Sequence, residues 1–211
     1  MIANLIKKNK LLFTTSLQVK DSFCQPNDSL LNDKEKEIFN ILIKDGVIAL
    51  PGYFDESTCN EFIERFLKLR EEKAKIYEND YRIFGIERLD EYYLENFAKN
   101  SFFKKIGESF VGDELIFQTC LGGQLDSSLG TIGSGGSWHR DSFSKQFKAI
   151  TYLTDVSEEN GPFQFVKKSN NLPVIKEILS KMKSNKGANY PRYTNEQIEE
   201  ICKTCDLEIE T

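Results

Sequence analysis

The single histidine of the chain lies two residues before an aspartate, in the run Trp138-His139-Arg140-Asp141. Alternate residues of a β-strand project from the same face, so a strand here would place His139 and Asp141 together and Trp138 and Arg140 on the opposite face. An imidazole beside a carboxylate can supply two of the three ligands of a 2-His-1-carboxylate facial triad, which binds iron(II) and leaves coordination positions open. The spacing therefore marks His139 and Asp141 as candidate metal ligands.

This spacing is weakly specific when it is taken alone. Asp and Glu make up 33 of the 211 residues, so any histidine has about a one-in-six chance of an acidic residue two places later. A strand histidine that hydrogen-bonds a neighbouring carboxylate is then the better interpretation. The surrounding sequence has to decide between a metal site and a structural pair.

The elements that would position this pair begin with helices and continue with short strands. Apolar residues at helical spacing predict helices over 33–44, from near Ser57 as a plausible N-cap, and around 89–106, and Gly46 is suited to the left-handed cap of the first. Thr194, with Gln197 three residues later, predicts one more helix start. Strands are predicted at 47–50, 115–121, 137–141, 147–156, 162–167 and 206–211, with a turn at 158–161 and helical sequence after Asn171.

Helices first and closely spaced short strands afterwards favour an α+β protein with a mainly β, antiparallel core. The length suffices for one domain with a proper core. Residues 1–30 are polar and irregular and are predicted to form an N-terminal arm, which leaves 31–211 as the domain.

Several runs around the H-x-D motif closely resemble the phytanoyl-CoA dioxygenase family. These runs are GSWHRDS at 136–142, QFKAITYLTDV at 146–156, NGPF at 160–163, KKSN at 167–170 and DGVIALPGYF at 45–54. The resemblance covers residues 35 to 170 in the family's order. It implies a double-stranded β-helix, a jelly-roll or cupin-like fold with helices before it, that is incomplete at its C-terminus in this chain.

The same resemblance implies a non-haem oxygenase that uses Fe(II), 2-oxoglutarate and dioxygen, with His139 and Asp141 as two iron ligands. The implied chemistry is oxidative decarboxylation of 2-oxoglutarate coupled to hydroxylation of a small organic substrate, which the sequence does not identify. Gln118, Gln124 and Thr151 are candidate co-substrate contacts, although each is more often a turn, surface or packing residue.

The sequence departs from the family at two points. The family has a second histidine on a later strand, and no histidine follows His139 in this chain. The family also has a basic residue shortly after that histidine, which anchors the distal carboxylate of 2-oxoglutarate, whereas the only basic residue after Arg192 here is Lys203. We therefore expect a C-terminally truncated family member, a fragment that is inactive by itself. Replacement of the missing ligand by Cys202 or Cys205 is less favoured, because a thiolate is a softer ligand.

Functions of other classes would leave different features in the sequence. An inactive cupin-like binding module would keep the same motifs, and a thiol redox protein using Cys202 and Cys205 requires a lowered thiol pKa. The net charge of −5 argues against nucleic acid, and no run approaches the roughly 20 apolar residues of a membrane span. Five cysteines without framework spacing favour reduced thiols and a cytoplasmic protein. The oligomeric state is not indicated.

Overall fold

The computed structural model describes residues 25–77, 80–125, 137–141, 146–157, 161–181 and 192–211. The helices in these ranges are α1 (Asp33–Asp45), α2 (Glu56–Lys73), α3 (Glu91–Tyr93), α4 (Ser101–Val111), α5 (Leu172–Lys181) and α6 (Asn195–Cys205). A 3-10 turn (Ile86–Arg88) precedes α3 and a π-helical turn (Leu94–Ala98) follows it. The strands are β1 (Lys75–Tyr77), β2 (Asp80–Phe84), β3 (Leu121–Leu125), β4 (Trp138–His139), β5 (Phe165–Val166), β6 (Arg192–Tyr193) and β7 (Ile209–Glu210).

These strands form three small antiparallel sheets. β1, β2 and β3 lie in that order in one sheet, β4 pairs with β6, and β5 pairs with β7. The predicted α+β class is confirmed. The strands within the described ranges do not by themselves form a double-stranded β-helix. None of the helices in those ranges is both long enough and apolar enough to cross a bilayer.

Helix α1 begins and ends as its sequence predicts. The Asn32 side chain accepts the N–H of Glu35 and the Glu35 carboxylate accepts that of Asn32, which satisfies two amides that the first helical turn leaves without partners. Gly46 ends the helix at φ 82°, a conformation that glycine adopts without strain. A side chain there would also collide with Asn170, whose Oδ1 lies 2.7 Å from the position of an added Cβ.

Helix α2 begins two residues earlier than predicted, so Ser57 is not its N-cap. The Asp55 side chain accepts the N–H of Thr58, and a carboxylate at this position also interacts favourably with the positive end of the helix dipole. Phe62 and Phe66 on the inner face of α2 are buried, together with Ile83 and Ile86. The sheet of β1, β2 and β3 packs against this first core cluster through Ile83 of β2.

Three of the predicted strands are wrong. Residues 47–50, 115–120 and 147–156 contain no strand, and β3 begins only at Leu121. Apolar alternation indicates a strand only where a partner can receive the backbone hydrogen bonds. Ile116, Ile150 and Tyr152 are instead 77 %, 57 % and 50 % exposed.

The C-terminal part packs around a separate core cluster, which contains Val166, Ile178, Tyr193, Ile198 and Ile201. The predicted helix start at Thr194 is confirmed as a capping box with Gln197. The predicted C-terminal strand is confirmed as β7, which pairs with β5 through Val166 and Ile209. Helical sequence after Asn171 is confirmed as α5. The predicted turn at 158–161 and most of the predicted arm lie outside the described residues.

Candidate metal centre

The H-x-D segment places its residues on two faces, as predicted for a strand. Trp138 packs on the C-terminal cluster, and its Nε1 donates to Asn195 Oδ1 at 3.1 Å. Arg140 points the same way, and its Nη2 donates to the Ser169 carbonyl at 2.8 Å. His139 and Asp141 occupy the other face, which points away from the C-terminal cluster and from Ser169.

The side chains of His139 and Asp141 lie in contact, with Nε2 of the imidazole 3.3 Å from Oδ1 of the carboxylate. The second ring nitrogen, Nδ1, lies 2.8 Å from the Ser137 carbonyl oxygen. A carbonyl only accepts, so we assign the ring proton to Nδ1. In the neutral ring Nε2 then presents a lone pair to an anionic oxygen, an arrangement that calls for a proton or a cation between the two atoms.

A metal ion fits this arrangement at two coordination positions. Ligands at right angles on a metal, with bonds of roughly 2.1 Å, are about 3 Å apart, and the two donor atoms here are 3.3 Å apart. The hydrogen bond from Nδ1 to a backbone carbonyl is the usual outer contact of a metal-binding histidine, because it fixes the tautomer and the ring orientation. His139 Nε2 and Asp141 Oδ1 are therefore competent as a bidentate protein ligand.

Within the described ranges no third ligand joins the pair, since no three His, Cys, Asp or Glu side chains converge there. The side chains of His139 and Asp141 are 34 % and 44 % exposed, so this face of β4 is open to solvent.

Lys148 forms an ion pair with Oδ2 of Asp141 and leaves Oδ1 facing the imidazole. The Lys148 hydrogen bond is the main reason that the pKa of Asp141 is below its ordinary value; burial opposes this effect, and the positive charge of Lys148 adds to it. Asp141 is therefore an anionic ligand over a wider pH range than an isolated carboxyl.

Comparison with protein-family models decides the affiliation. The model described as phytanoyl-CoA dioxygenase (PhyH) matches residues 42–202, well over half of the chain. The chain belongs to the phytanoyl-CoA dioxygenase family. Comparisons with curated proteins and with solved structures give no significant match.

The family-matched segment includes His139, Asp141 and their immediate neighbours. The predicted family membership is thus confirmed, while the role of the pair as iron ligands stays a prediction.

Two of the three candidate co-substrate contacts hydrogen-bond other residues of this phytanoyl-CoA dioxygenase family member. Gln118 is exposed and its Nε2 donates to the Ile116 carbonyl. Gln124 lies on β3, in a different sheet, and its Oε1 accepts from Arg70 Nη1 at 2.9 Å. Thr151 is half-buried in an irregular segment that was predicted to be a strand. Neither hydrogen bond joins Gln118 or Gln124 to His139 or Asp141.

The two cysteines of the C-x-x-C motif lie on α6 and are half-buried. Burial, with Cys205 nearby as a lesser cause, raises the pKa of Cys202. The thiol redox alternative required a lowered pKa, so this finding argues against Cys202 as a reactive thiol.

Sequence reasoning missed two cations beside the pair, Lys148 and Arg192. Lys148 follows Asp141 by seven residues, and the two residues were expected on different strands, 137–141 and 147–156. Arg192 lies directly opposite His139 in the pairing of β4 with β6. Neither relationship has a local sequence signal, because each depends on how distant segments pack.

Proposed function

We propose that this phytanoyl-CoA dioxygenase family member is an Fe(II)- and 2-oxoglutarate-dependent dioxygenase that hydroxylates a small organic substrate. The observation that carries the proposal is the contact of 3.3 Å between His139 Nε2 and Asp141 Oδ1, inside the family-matched segment. Phytanoyl-CoA dioxygenase family members are generally 2-oxoglutarate-dependent dioxygenases, and a pair of this type is what such chemistry needs from an H-x-D strand.

The chain's own residues hold and orient the metal in this proposal. Ser137 fixes the ring of His139 through its carbonyl, and Lys148 lowers the pKa of Asp141. Bound iron(II) supplies the oxidation, in which 2-oxoglutarate, dioxygen and a C–H bond give succinate, carbon dioxide and an alcohol. His139 and Asp141 leave the remaining coordination positions to the co-substrate and to other donors.

A complete site needs donors beyond this pair. His139 is the only histidine among the 211 residues, so a second histidine ligand is not among them. We propose that the small sheets seen here are part of a double-stranded β-helix. The exposure of Ile116, Ile150 and Tyr152 supports this, because strands of such a fold would cover apolar residues of this kind. The 211-residue chain should accordingly bind iron weakly and turn over little.

An inactive cupin-like binding module is the second candidate. Lys148 already neutralises Asp141, and no three-ligand cluster forms within the described ranges. A module of this kind would use the same face to bind a small molecule without oxidising it.

Metal titration and turnover separate the two candidates. Mn(II), an air-stable substitute, is titrated into the chain and into H139A and D141N while the signal of free Mn(II) is followed by electron paramagnetic resonance. We expect the chain to bind one ion and each substitution to weaken this binding at least tenfold. Loss of only an outer partner of a metal ligand already lowers metal affinity by about tenfold or more. D155N, which removes an exposed carboxylate of segment 146–157, should bind like the unsubstituted chain.

Two results would overturn the dioxygenase proposal. One is an unsubstituted chain that binds no Mn(II), and the other is Mn(II) binding that H139A and D141N leave unchanged. Release of labelled carbon dioxide from 2-oxoglutarate, lost in D141N, would exclude the binding module in favour of the enzyme.

A further inference from the structure

Strand β3 forms one edge of the three-stranded sheet, and within the described ranges β2 is its only strand neighbour. The Gly85 amide donates to the Cys120 carbonyl at 2.9 Å, which continues the register of β2 with β3 by one residue pair. In an antiparallel ladder, hydrogen-bonded pairs alternate with pairs whose N–H and C=O groups point the other way. Gly122 and Gln124, two and four residues after Cys120, therefore direct their backbone groups toward β2.

The alternate residues of β3 direct their backbone groups away from β2, to the outer edge of the sheet. These residues are Leu121, Gly123 and Leu125, and all three are exposed. The two leucines are 48 % and 43 % exposed, and Phe84, which lies opposite Leu121 on the same face, is 52 % exposed. Backbone groups open to a further strand and apolar side chains open to solvent thus occur at the same place.

The two edges of this sheet differ in their protection against further pairing. Native edge strands are commonly short or carry charged residues or proline, which prevents another strand from adding to them. β1 has three residues and begins with Lys75. β3 has five residues, none of them charged and none of them proline. The β3 edge is therefore the one that can accept a further strand.

The sequence of β3 matches a second copy of itself. The strand reads LGGQL, with a leucine at each end and Gly123 at the centre. If two copies pair antiparallel with their Gly123 residues opposed, Leu121 of one copy lies opposite Leu125 of the other, in both directions. The backbone groups that meet are those that point away from β2, so each of these pairs can exchange both of its hydrogen bonds. An interface in which the same residues contact each other from both sides is the usual form of a twofold dimer.

Other registers of this pairing fit less well. A shift by one residue would oppose Leu121 to Gln124, whose backbone groups already point toward β2, and would mismatch the two faces of the sheet. A shift by two residues would oppose a leucine to Gly123 and leave one end of each strand without a partner. Only the register centred on Gly123 covers all four leucines of the two edges.

We infer that two copies of this chain associate edge to edge through β3, about a twofold axis at Gly123. The association joins the two three-stranded sheets into one continuous sheet. It goes beyond the proposed function, because it uses a sheet that lacks His139 and Asp141 and needs no metal. Two paired edge strands bury less surface than the roughly 1,600 Å² of a standard interface, so the dimer is weak and depends on concentration.

Charges placed at the twofold axis test this inference. An added Cβ at Gly123 would meet only the Tyr81 carbonyl oxygen, at the ordinary contact distance of 3.8 Å, so a single copy tolerates a side chain there. In the dimer, the two new side chains would lie directly opposite each other, with their Cβ atoms about 5 Å apart, where like charges repel. The variants are G123K and G123E, and sedimentation velocity over a concentration series measures the dissociation constant of the dimer.

We expect the unsubstituted chain to dimerise reversibly and each variant to raise the dissociation constant by about tenfold or more, because like charges would be opposed in the interface. An equimolar mixture of G123K and G123E should dimerise again, since opposite charges then meet at the axis. The control variants N60K and N60E introduce the same charges at an exposed position of α2 and should dimerise like the unsubstituted chain. Circular dichroism checks that all variants are folded.

Three results would overturn the inference. The first is an unsubstituted chain that stays monomeric at every concentration, which would leave the β3 edge to a different strand. The second is a dimer that G123K and G123E do not weaken, which would place the interface elsewhere. The third is a mixture of the two folded variants that stays monomeric, because a twofold axis at Gly123 requires that opposite charges restore the pairing.

Discussion

Asp141 and Lys148 form an ion pair through the carboxylate oxygen that points away from His139. The other oxygen, Oδ1, faces the imidazole and is the proposed metal ligand. Lys148 consequently acts on the metal pair in two opposite ways. It lowers the pKa of Asp141, and its positive charge repels an incoming cation.

Removal of the Lys148 charge tests which effect is larger. At neutral pH Asp141 is ionised with or without Lys148, so repulsion should dominate, and K148M should raise Mn(II) affinity by about threefold to tenfold at low salt. The measurement is a Mn(II) titration at two ionic strengths, and the gain should shrink in 0.5 M salt. K148R, which preserves the charge, is the matched control. A lower affinity in K148M would show that Lys148 supports the metal site chiefly by orienting Asp141.

Substitutions of Ser137 should separate its backbone from its side chain. S137G keeps the carbonyl that orients His139 and relieves the left-handed backbone at φ 74°, so it should keep Mn(II) affinity and thermal stability. S137V forces a β-branched residue into that conformation and should destabilise the protein by about 1–2 kcal/mol and weaken Mn(II) binding. Thermal unfolding and the Mn(II) titration are measured on both variants. Equal affinities would show that the conformation of residue 137 does not position His139.

Phe62 tests the first core cluster. Its side chain is fully buried and its carbonyl accepts the hydroxyl of Tyr93 at 2.7 Å. F62A should lower the free energy of unfolding by about 3–5 kcal/mol, because it leaves a cavity among aromatic rings. Urea denaturation measures the loss. L67A changes a residue of the same helix that is 42 % exposed and should cost far less, so equal losses would contradict the assigned inner face of α2.

Glu35 should make part of the stability depend on pH. The hydrogen bond from Lys105 Nζ, at 2.8 Å, is the largest cause that lowers the pKa of Glu35 below its ordinary 4.5, and the amide of Asn32 adds to it. A group with a depressed pKa contributes stability above its unfolded pKa and loses that contribution as the pH falls through the folded pKa. E35Q should therefore melt at a lower temperature than the unsubstituted chain at pH 7, and the difference should shrink below about pH 4.5.

The matched control for that experiment is E37Q, which changes an exposed residue of the same helix. Its melting temperature should follow that of the unsubstituted chain throughout the titration. A difference between E35Q and the unsubstituted chain that persists at pH 3 would mean that packing of the side chain, and not its charge, supplies the stability.

Local patterns were predictable where the interaction that forms the structure is itself local. The glycine cap of α1, the capping box of α6 and the common face of His139 and Asp141 each involve residues a few positions apart. The start of α2 was placed wrongly because Asp55 and Ser57 are both good caps, and the choice between them depends on the entry path of the chain.

The sequence by itself determined the family, the α+β class and the common face of His139 and Asp141, because the H-x-D motif and the runs that resemble the family are local sequence patterns. Tertiary structure decided which apolar runs are strands, since a strand exists only where a partner accepts its hydrogen bonds. It also decided the charges around the pair. Arg192 reaches Ser137 across 55 positions of sequence, and Lys148 reaches Asp141 from a segment anchored on another core. Contacts of this kind follow from packing of distant segments, which no local spacing encodes.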